Sequence, residues 1–143
     1  MLASHQPSWS SARAVLNRYH VAYGADRLGF LSYYRSKGVV AHAYEPLARG
    51  ALASSAACAS IGARHNKSAA QVAMRWLAQS RAVEMAILTH STSEAHLVQD
   101  VQVFSSSWQL SPADVEALDA ITCVTNPELC THYDGRMTWG CTK

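Results

Sequence analysis

The chain has 143 residues, of which 49% are hydrophobic and 15% are charged, and its formal net charge is +2. This composition excludes intrinsic disorder, because the apolar side chains can bury a core, and the length fits one domain. The Lys and Arg residues are spread along the chain, so no nucleic-acid partner is predicted. The apolar runs are too short for a transmembrane segment.

The N-terminal arm, residues 1–13, is rich in serine and lacks the apolar middle of a secretory signal. Arg13 and Arg18 precede the first acidic residue, Asp26, so a remnant of an organelle-targeting segment remains an alternative interpretation of the arm. The localisation is therefore unknown, with cytoplasm and organelle both open.

A strand and a helix are predicted after the arm. Residues 14–21 are partly β-branched and aromatic, which favours a strand. Residues 26–37 predict a helix that ends at Gly38, because Leu28 and Leu31 share a face.

A second strand is predicted over residues 39–44, which are apolar on both sides, as in a parallel sheet. A helix follows, beginning near Ala51 or Ala56 and ending at His65.

The next helix has the clearest beginning, because Ser68 and Gln71 have the spacing of a capping box. Its apolar stripe at helical spacing consists of Ala69, Val72, Ala73, Trp76 and Leu77. A third strand is predicted over residues 85–89.

A fourth helix is predicted to begin at Ser91, with Glu94 completing a capping box, and to carry Leu97, Val98 and Val101. The first turn of a helix leaves N–H groups unpaired and favours negative charge, so the junction at Ser91 predicts an anion site.

A last helix begins at Ser111-Pro112, before an irregular tail. Strands that alternate with helices in this way predict an α/β fold with a parallel sheet.

Four stretches then match one family in order and spacing. The stretch YYRSKGVVAHAYEPLARG at 33–50 is similar to YCRxxGIxxxAYSPLGRG, and KSAAQVAMRW at 67–76 is similar to KSPAQVxLRW. The residues ILTHS at 87–91 are similar to VIPKS, and LSPADVEALD at 110–119 is similar to LSxEDMxxLD. Over about residues 14–122 the chain resembles the C-terminal half of an aldo-keto reductase.

The resemblance implies a partial (β/α)8 TIM barrel with strands six to eight, a C-terminal helix and an irregular tail. Residues 14–122 would form the half barrel, between the arm and the tail at 123–143. The family reduces carbonyl groups with NADPH, using an Asp, Tyr, Lys and His set on the first half of the barrel. No tyrosine in this sequence has such a context, so no catalytic residue is assigned.

Two functions follow from this resemblance. One is an oxidoreductase module that is catalytically incompetent alone. The other is a non-enzymatic structural or accessory subunit derived from a reductase. Whether the chain is an enzyme stays open.

The resemblance also implies an NADP(H) site. Tyr44 would stack under the nicotinamide, and Ser91 would bind the 2′-phosphate. The predicted cofactor-binding residues are Asn17, Tyr44, His90, Ser91, Thr92, His96, Gln99 and Asp100.

Several of these positions depart from the family pattern. His90 and His96 replace a lysine and an arginine, and imidazole is mostly neutral at pH 7. Gln99 and Asp100 replace the Glu-Asn pair that holds adenine, and Glu45 replaces a serine. Leu16 stands where a glutamine is usual, and Asn17 beside it is the candidate replacement. These changes predict weak binding of the cofactor, because each charge-assisted phosphate contact contributes about 1.5–3 kcal/mol.

Three strands of an eight-stranded barrel would leave an open inner face and two open sheet edges. Either another chain supplies the missing half, or the open face docks on an unrelated partner, or the chain is a fragment. Another protein chain is therefore expected against the open face.

The four cysteines are Cys58, Cys123, Cys130 and Cys141. Two interpretations of these cysteines remain, namely buried free thiols and a disulfide in the tail. A zinc site of the three tail cysteines with His132 is a further hypothesis, but the spacing is unspecific and no metal is assigned.

Overall fold

The computed structural model of the protein describes residues 14–24, 26, 29–79, 85–123 and 125–130. Its strands are β1 (Ala14–Arg18), β2 (Val40–Tyr44) and β3 (Met85–Ile87). Its α-helices are α1 (Phe30–Ser36), α2 (Ala56–His65), α3 (Ala69–Gln79), α4 (Glu94–Gln102) and α5 (Pro112–Asp119). Short 3-10 turns lie at Val21–Tyr23, Ala48–Gly50, Leu52–Ser54 and Pro127–Cys130. The predicted N-terminal arm lies outside the described residues.

The described strands form one parallel sheet in the order β1-β2-β3, which confirms the predicted α/β class. On β2, Ala41 and Ala43 point into the core and are 5% and 1% exposed. Side chains alternate along a strand, so their neighbours in the sequence face the other way. That other side, called the axis face below, carries Leu16, Arg18, His42, Tyr44 and Ala86, which the strand register aligns.

Helix α3 is the centre of the core. Ser68 N–H donates to Gln71 Oε1 at 3.1 Å, and Gln71 N–H donates to Ser68 Oγ at 3.3 Å, so the predicted capping box is confirmed. The whole predicted stripe is buried, and it consists of Ala69, Val72, Ala73, Trp76 and Leu77. Burying one large apolar side chain stabilises the fold by about 1.5–3 kcal/mol.

The N-terminal boundaries differ from the prediction. Strand β1 ends at Arg18 rather than at residue 21, because the chain turns into a 3-10 turn at Val21–Tyr23. Helix α1 begins at Phe30 rather than at Asp26. The Asp26 carboxylate instead accepts the backbone N–H of Leu31 at 2.8 Å and therefore acts on the first turn from outside the helix.

Strand β3 is also shorter than predicted, since it ends at Ile87 rather than at residue 89. The Leu88 N–H still donates to the Ala43 carbonyl at 2.9 Å, and the chain leaves the sheet after that bond.

Helices α2 and α5 are joined by one buried carboxylate. Asp114 closes the capping box of α5 with Ser111 and also contacts Arg64 and His65 of α2. His65 Nε2 lies 2.8 Å from Asp114 Oδ2. Burial raises the pKa of Asp114, but hydrogen bonds from His65, Arg64 and Ser111 outweigh it and hold the pKa well below its ordinary value. The carboxylate is therefore ionised in the folded protein.

The first part of the predicted tail packs onto the fold. Leu129 is 5% exposed and belongs to the hydrophobic core. Cys123 is buried and disulfide-bonded, as one of the two interpretations expected. Cys58 is a free thiol, and burial raises its pKa, which fits the other interpretation. Because a disulfide sulfur is not a thiolate, Cys123 is unavailable to the hypothetical zinc site.

Candidate functional site

The candidate site lies at the edge of the sheet where the strands end. Tyr44 is the last residue of β2, is half-buried, and is in register with Arg18, the last residue of β1. Both lie on the axis face. The chain after β3 leaves the sheet at the same edge, so the segment that contains His90 and Ser91 begins beside Tyr44. Parallel strands carry the working groups of a barrel at this end.

An ion pair adjoins Tyr44. Arg18 Nε lies 2.8 Å from Glu45 Oε2, and the two side chains are 6% and 26% exposed. Arg18 Nη2 also donates to the Leu129 carbonyl at 3.2 Å. The prediction counted Glu45 as a negative charge acting against a nucleotide phosphate. In the structure the guanidinium of Arg18 compensates that charge.

Arg18 and His20 are the residues of this edge that sequence reasoning missed. His20 is fully buried, and neither ring nitrogen makes a hydrogen bond within the described residues. Burial and the nearby charge of Arg18 lower the pKa of His20 to about 3, and the Leu129 backbone acts in the opposite direction. The sequence feature that could have identified Arg18 as a site residue is its position at the end of the first strand. That position becomes informative only once the register of Arg18 with Tyr44 is known.

The predicted cap of α4 was assigned to the wrong serine. Ser93, not Ser91, is the N-cap, and its side chain accepts from the His96 N–H at 3.5 Å. Ser91 lies two residues earlier, and its Oγ accepts the Ser93 N–H at 3.1 Å in a local turn. The physical reason is that either serine can satisfy a backbone donor, and the β3–α4 loop is longer than the sequence pattern suggested. The capping box predicted between Ser91 and Glu94 is therefore wrong.

The other predicted phosphate-side residues surround this helix start. His90 and Thr92 are exposed in the loop, and His96 is exposed in the first turn of α4. Ser91 is half-buried between them. The loop and the first turn thus present a hydroxyl and two imidazoles toward solvent, near the positive end of the helix dipole.

Gln99 and Asp100, the two residues predicted to hold adenine, line two different cavities. Gln99 lines a polar cavity of about 380 Å³ with Ser68 and Gln71, and its Oε1 accepts from Ser68 Oγ at 2.9 Å. Asp100 lines a different cavity of about 230 Å³, together with apolar residues such as Phe104. Consecutive helical residues point about 100° apart, which explains the separation. The structure does not bring this pair to one cavity.

The last predicted residue, Asn17, is paired in register with Ala43. Its side chain lies outside the described part of the structure, so its role stays a prediction. Within the described residues, no group of three or more His, Cys, Asp or Glu side chains could hold a metal ion. No helix among those residues is long and apolar enough to cross a membrane.

Comparison with known proteins identifies the family. A sequence profile of the Aldo/keto reductase family matches residues 6–122. The chain belongs to the aldo/keto reductase family. Within this family, the three parallel strands and the helices described above form part of a (β/α)8 barrel.

Two curated relatives are reductases. Glyoxal reductase of Bacillus subtilis (strain 168) is 30% identical over 89 residues, which are 62% of this chain and 30% of that protein. Aldose reductase B of Dictyostelium discoideum is 31% identical over 104 residues, 71% of this chain and 31% of that protein. The chain therefore matches about a third of the length of these relatives.

One solved structure of the same fold contains NADPH. The crystal structure of a Gox0644 variant in complex with NADPH has a TM-score of 0.66 at 19% identity. The structural match covers 90% of this chain and 41% of the Gox0644 chain. At this identity the likeness establishes the fold alone.

Proposed function

We propose that the chain is the cofactor-binding, C-terminal part of an NADP(H)-dependent carbonyl reductase. The observation that carries this proposal is the meeting of Tyr44 and the β3–α4 loop at one edge of the sheet. In the family, that edge is where the resemblance assigns the nicotinamide and the 2′-phosphate. The cofactor, when bound, supplies the hydride for carbonyl reduction.

The residues at this edge fit a bound dinucleotide. The half-buried ring of Tyr44 can support a flat nicotinamide. Ser91 and Thr92, beside the first turn of α4, can donate hydroxyl hydrogen bonds to phosphate. Glu45 does not oppose this binding, because Arg18 neutralises it. We also propose cofactor contacts from Asn17, Gln99 and Asp100. Gln99 and Asp100 line two different cavities in the structure.

The affinity depends on His90 and His96, which replace two fixed cations of the family pattern. NADPH binding to the purified chain can be followed by quenching of tryptophan fluorescence. We expect saturable but weak binding, and tighter binding in the His90→Lys and His96→Arg variants, by about tenfold or more for each charge-assisted hydrogen bond added to the phosphate. Ala95→Lys, exposed between them, is the control for non-specific charge, and should change the affinity less.

Carbonyl reduction would need further polypeptide that carries the family's Asp, Tyr, Lys and His. The support is the placement of exposed apolar side chains on three surfaces of the described chain. These surfaces are the axis face and its edge, helix α1, and helix α4 with the turn after it. The exposed large apolar residues are Leu16, Leu88, Phe30, Tyr33, Leu97, Val98, Val101 and Phe104. In a closed barrel such surfaces are covered by the remaining strands and helices, so we propose a complementary half barrel as the partner.

An accessory, non-enzymatic subunit is the second candidate. It is favoured by the two imidazoles in place of fixed cations at the proposed phosphate site. The same titration separates the candidates. Saturable quenching at micromolar NADPH supports the reductase module, whereas none at millimolar NADPH leaves the accessory role.

A further inference from the structure

Arg75 of helix α3 is a buried cation whose hydrogen-bond partners are all neutral. The residue is 8% exposed. Its Nη1 donates to the carbonyls of Val103 and Ser105 at 2.7 and 3.1 Å, and its Nε donates to Gln79 Oε1 at 3.1 Å. None of the ion pairs among the described residues includes Arg75. Because a buried charge is stabilised by an opposite charge, this guanidinium favours an anionic partner.

The Nη2 end of the same guanidinium remains available to a ligand. It makes no hydrogen bond within the described residues, and it is not among their unpaired side-chain atoms that are closed to solvent. Its two N–H groups therefore reach water and can donate to a bound molecule. Burial lowers the pKa of Arg75 from its ordinary value, so a bound anion would also stabilise the charged form of this side chain.

A second cation lies over the aromatic ring that Arg75 contacts. The Cζ atom of Arg75 lies 5.4 Å from the centroid of the Trp108 ring, and the Nζ atom of Lys67 lies 5.6 Å from it. The ring is held in place because Trp108 Nε1 donates to the Gln102 carbonyl at 3.1 Å. Lys67 is likewise absent from the ion pairs of the described residues. Two cations thus adjoin one fixed ring without a carboxylate partner in that part of the chain.

A carboxylate in the same region is already engaged. The His65 ring lies 6.0 Å from the Trp108 ring, and His65 Nε2 lies 2.8 Å from Asp114 Oδ2. Asp114 also contacts Arg64. This carboxylate is therefore compensated by its own partners, and the two cations over Trp108 stay available to an external anion.

We propose that Arg75 and Lys67 bind the phosphate group of a small molecule beside Trp108. Lys67 also lines the polar cavity of about 380 Å³, and none of the side chains that line this cavity is acidic. Arg75 contacts the chain after the end of α4, whereas the proposed cofactor phosphate lies at the start of α4, about 13 Å away along that helix. The site is therefore distinct from the cofactor edge and does not rest on the proposed function.

The charge at this position favours a phosphate over a carboxylate. A phosphate monoester carries about −1.5 to −2 charges at pH 7 and can compensate both cations. A carboxylate, with one charge, would leave one of them uncompensated. The phosphate oxygens can accept hydrogen bonds from Arg75 Nη2 and Lys67 Nζ in different directions. The exposed hydroxyl of Ser106, two residues before Trp108, is a further donor at this surface.

The test is a titration of the full chain with inorganic phosphate, compared with chloride at equal ionic strength. The NMR signals of Arg75 Nε and of the Trp108 indole N–H report binding at this site, and we expect both to shift saturably with one midpoint. Lys67→Gln should weaken phosphate binding at least about tenfold, the effect of losing one charge-assisted hydrogen bond. The matched control is Lys37→Gln, which removes a lysine 5.7 Å from the Tyr33 ring centroid and should change the affinity less than about threefold.

A purely structural role of Arg75 predicts a different result. Both signals would then respond to phosphate no more than to chloride, and that outcome would overturn the proposal. Tighter binding of acetate than of phosphate would overturn the phosphate class. Ser91→Ala separates this site from the cofactor edge. Phosphate binding that is lost in Ser91→Ala but kept in Lys67→Gln would place the anion at the cofactor edge and overturn the assignment to Arg75 and Lys67. Binding of phosphate without any binding of NADPH would contradict the proposed function and leave this site standing.

Discussion

Helices α3 and α4 pack against each other, and both carry an apolar stripe at helical spacing, yet only α3 buries it. In α3, Trp76 and Leu77 are fully buried. In α4, none of the residues 94–102 is buried, and Val101 is 74% exposed. The contrast shows that an apolar stripe predicts burial against other residues. It does not predict whether those residues belong to the same chain.

The direct way to sharpen this comparison is to truncate one leucine in each helix. Leu77 is 0% exposed and Leu97 is 45% exposed. We expect Leu77→Ala to lower the free energy of unfolding by about 2–5 kcal/mol, because it leaves a cavity in the core. Leu97→Ala should change it by less than about 0.5 kcal/mol. Denaturant unfolding measures both, and equal losses would mean that α4 is covered within this chain.

The packed region should also be the acid-sensitive one, through His20. Its pKa is about 3 in the folded protein and near 6.5 when unfolded. The unfolded chain therefore binds an extra proton between these values, and stability falls as pH falls through this window, by at most about 1.4 kcal/mol per pH unit. His20→Phe, which keeps the ring beside Tyr23, should flatten that part of the pH profile of stability. An unchanged slope would show that His20 is accessible to solvent.

A smaller effect is expected at Asp114, which joins α2 to α5. Its pKa is depressed, so its stabilising contribution is present above the ordinary value of 3.8 and is lost as pH falls below it. Asp114→Asn should cost about 1–3 kcal/mol at neutral pH and should remove that part of the acid dependence. Asp100→Asn on α4 is the matched control and should change the free energy of unfolding by less than about 0.5 kcal/mol. Thermal unfolding measured from pH 7 down to pH 3 would check both variants, and equal losses would contradict the contrast between the two regions.

Much of the fold could be predicted from the sequence, because the signals are local. The capping box at Ser68, the helix start at Ser111-Pro112 and the stripe of α3 depend on residues that are close in the sequence, and they are confirmed. The ends of β1 and β3 could not be predicted, since they depend on where the chain turns away from its neighbouring strand.

The candidate site was predicted less well, because it depends on contacts distant in sequence. Nothing local distinguishes Ser91 from Ser93 as the cap of α4. The pairing of Glu45 with Arg18 joins two strands and became visible only with their register. The separation of Gln99 from Asp100 likewise required the positions of the cavities beside α4.

Our central proposal is that the apolar flanks of this partial barrel are covered by another polypeptide. Analytical ultracentrifugation of the purified chain over a range of concentrations tests it most directly. We expect self-association that weakens when Val101, 74% exposed on α4, is replaced in Val101→Lys. A wild-type chain that stays monomeric at every concentration, like the variant, would contradict the claim.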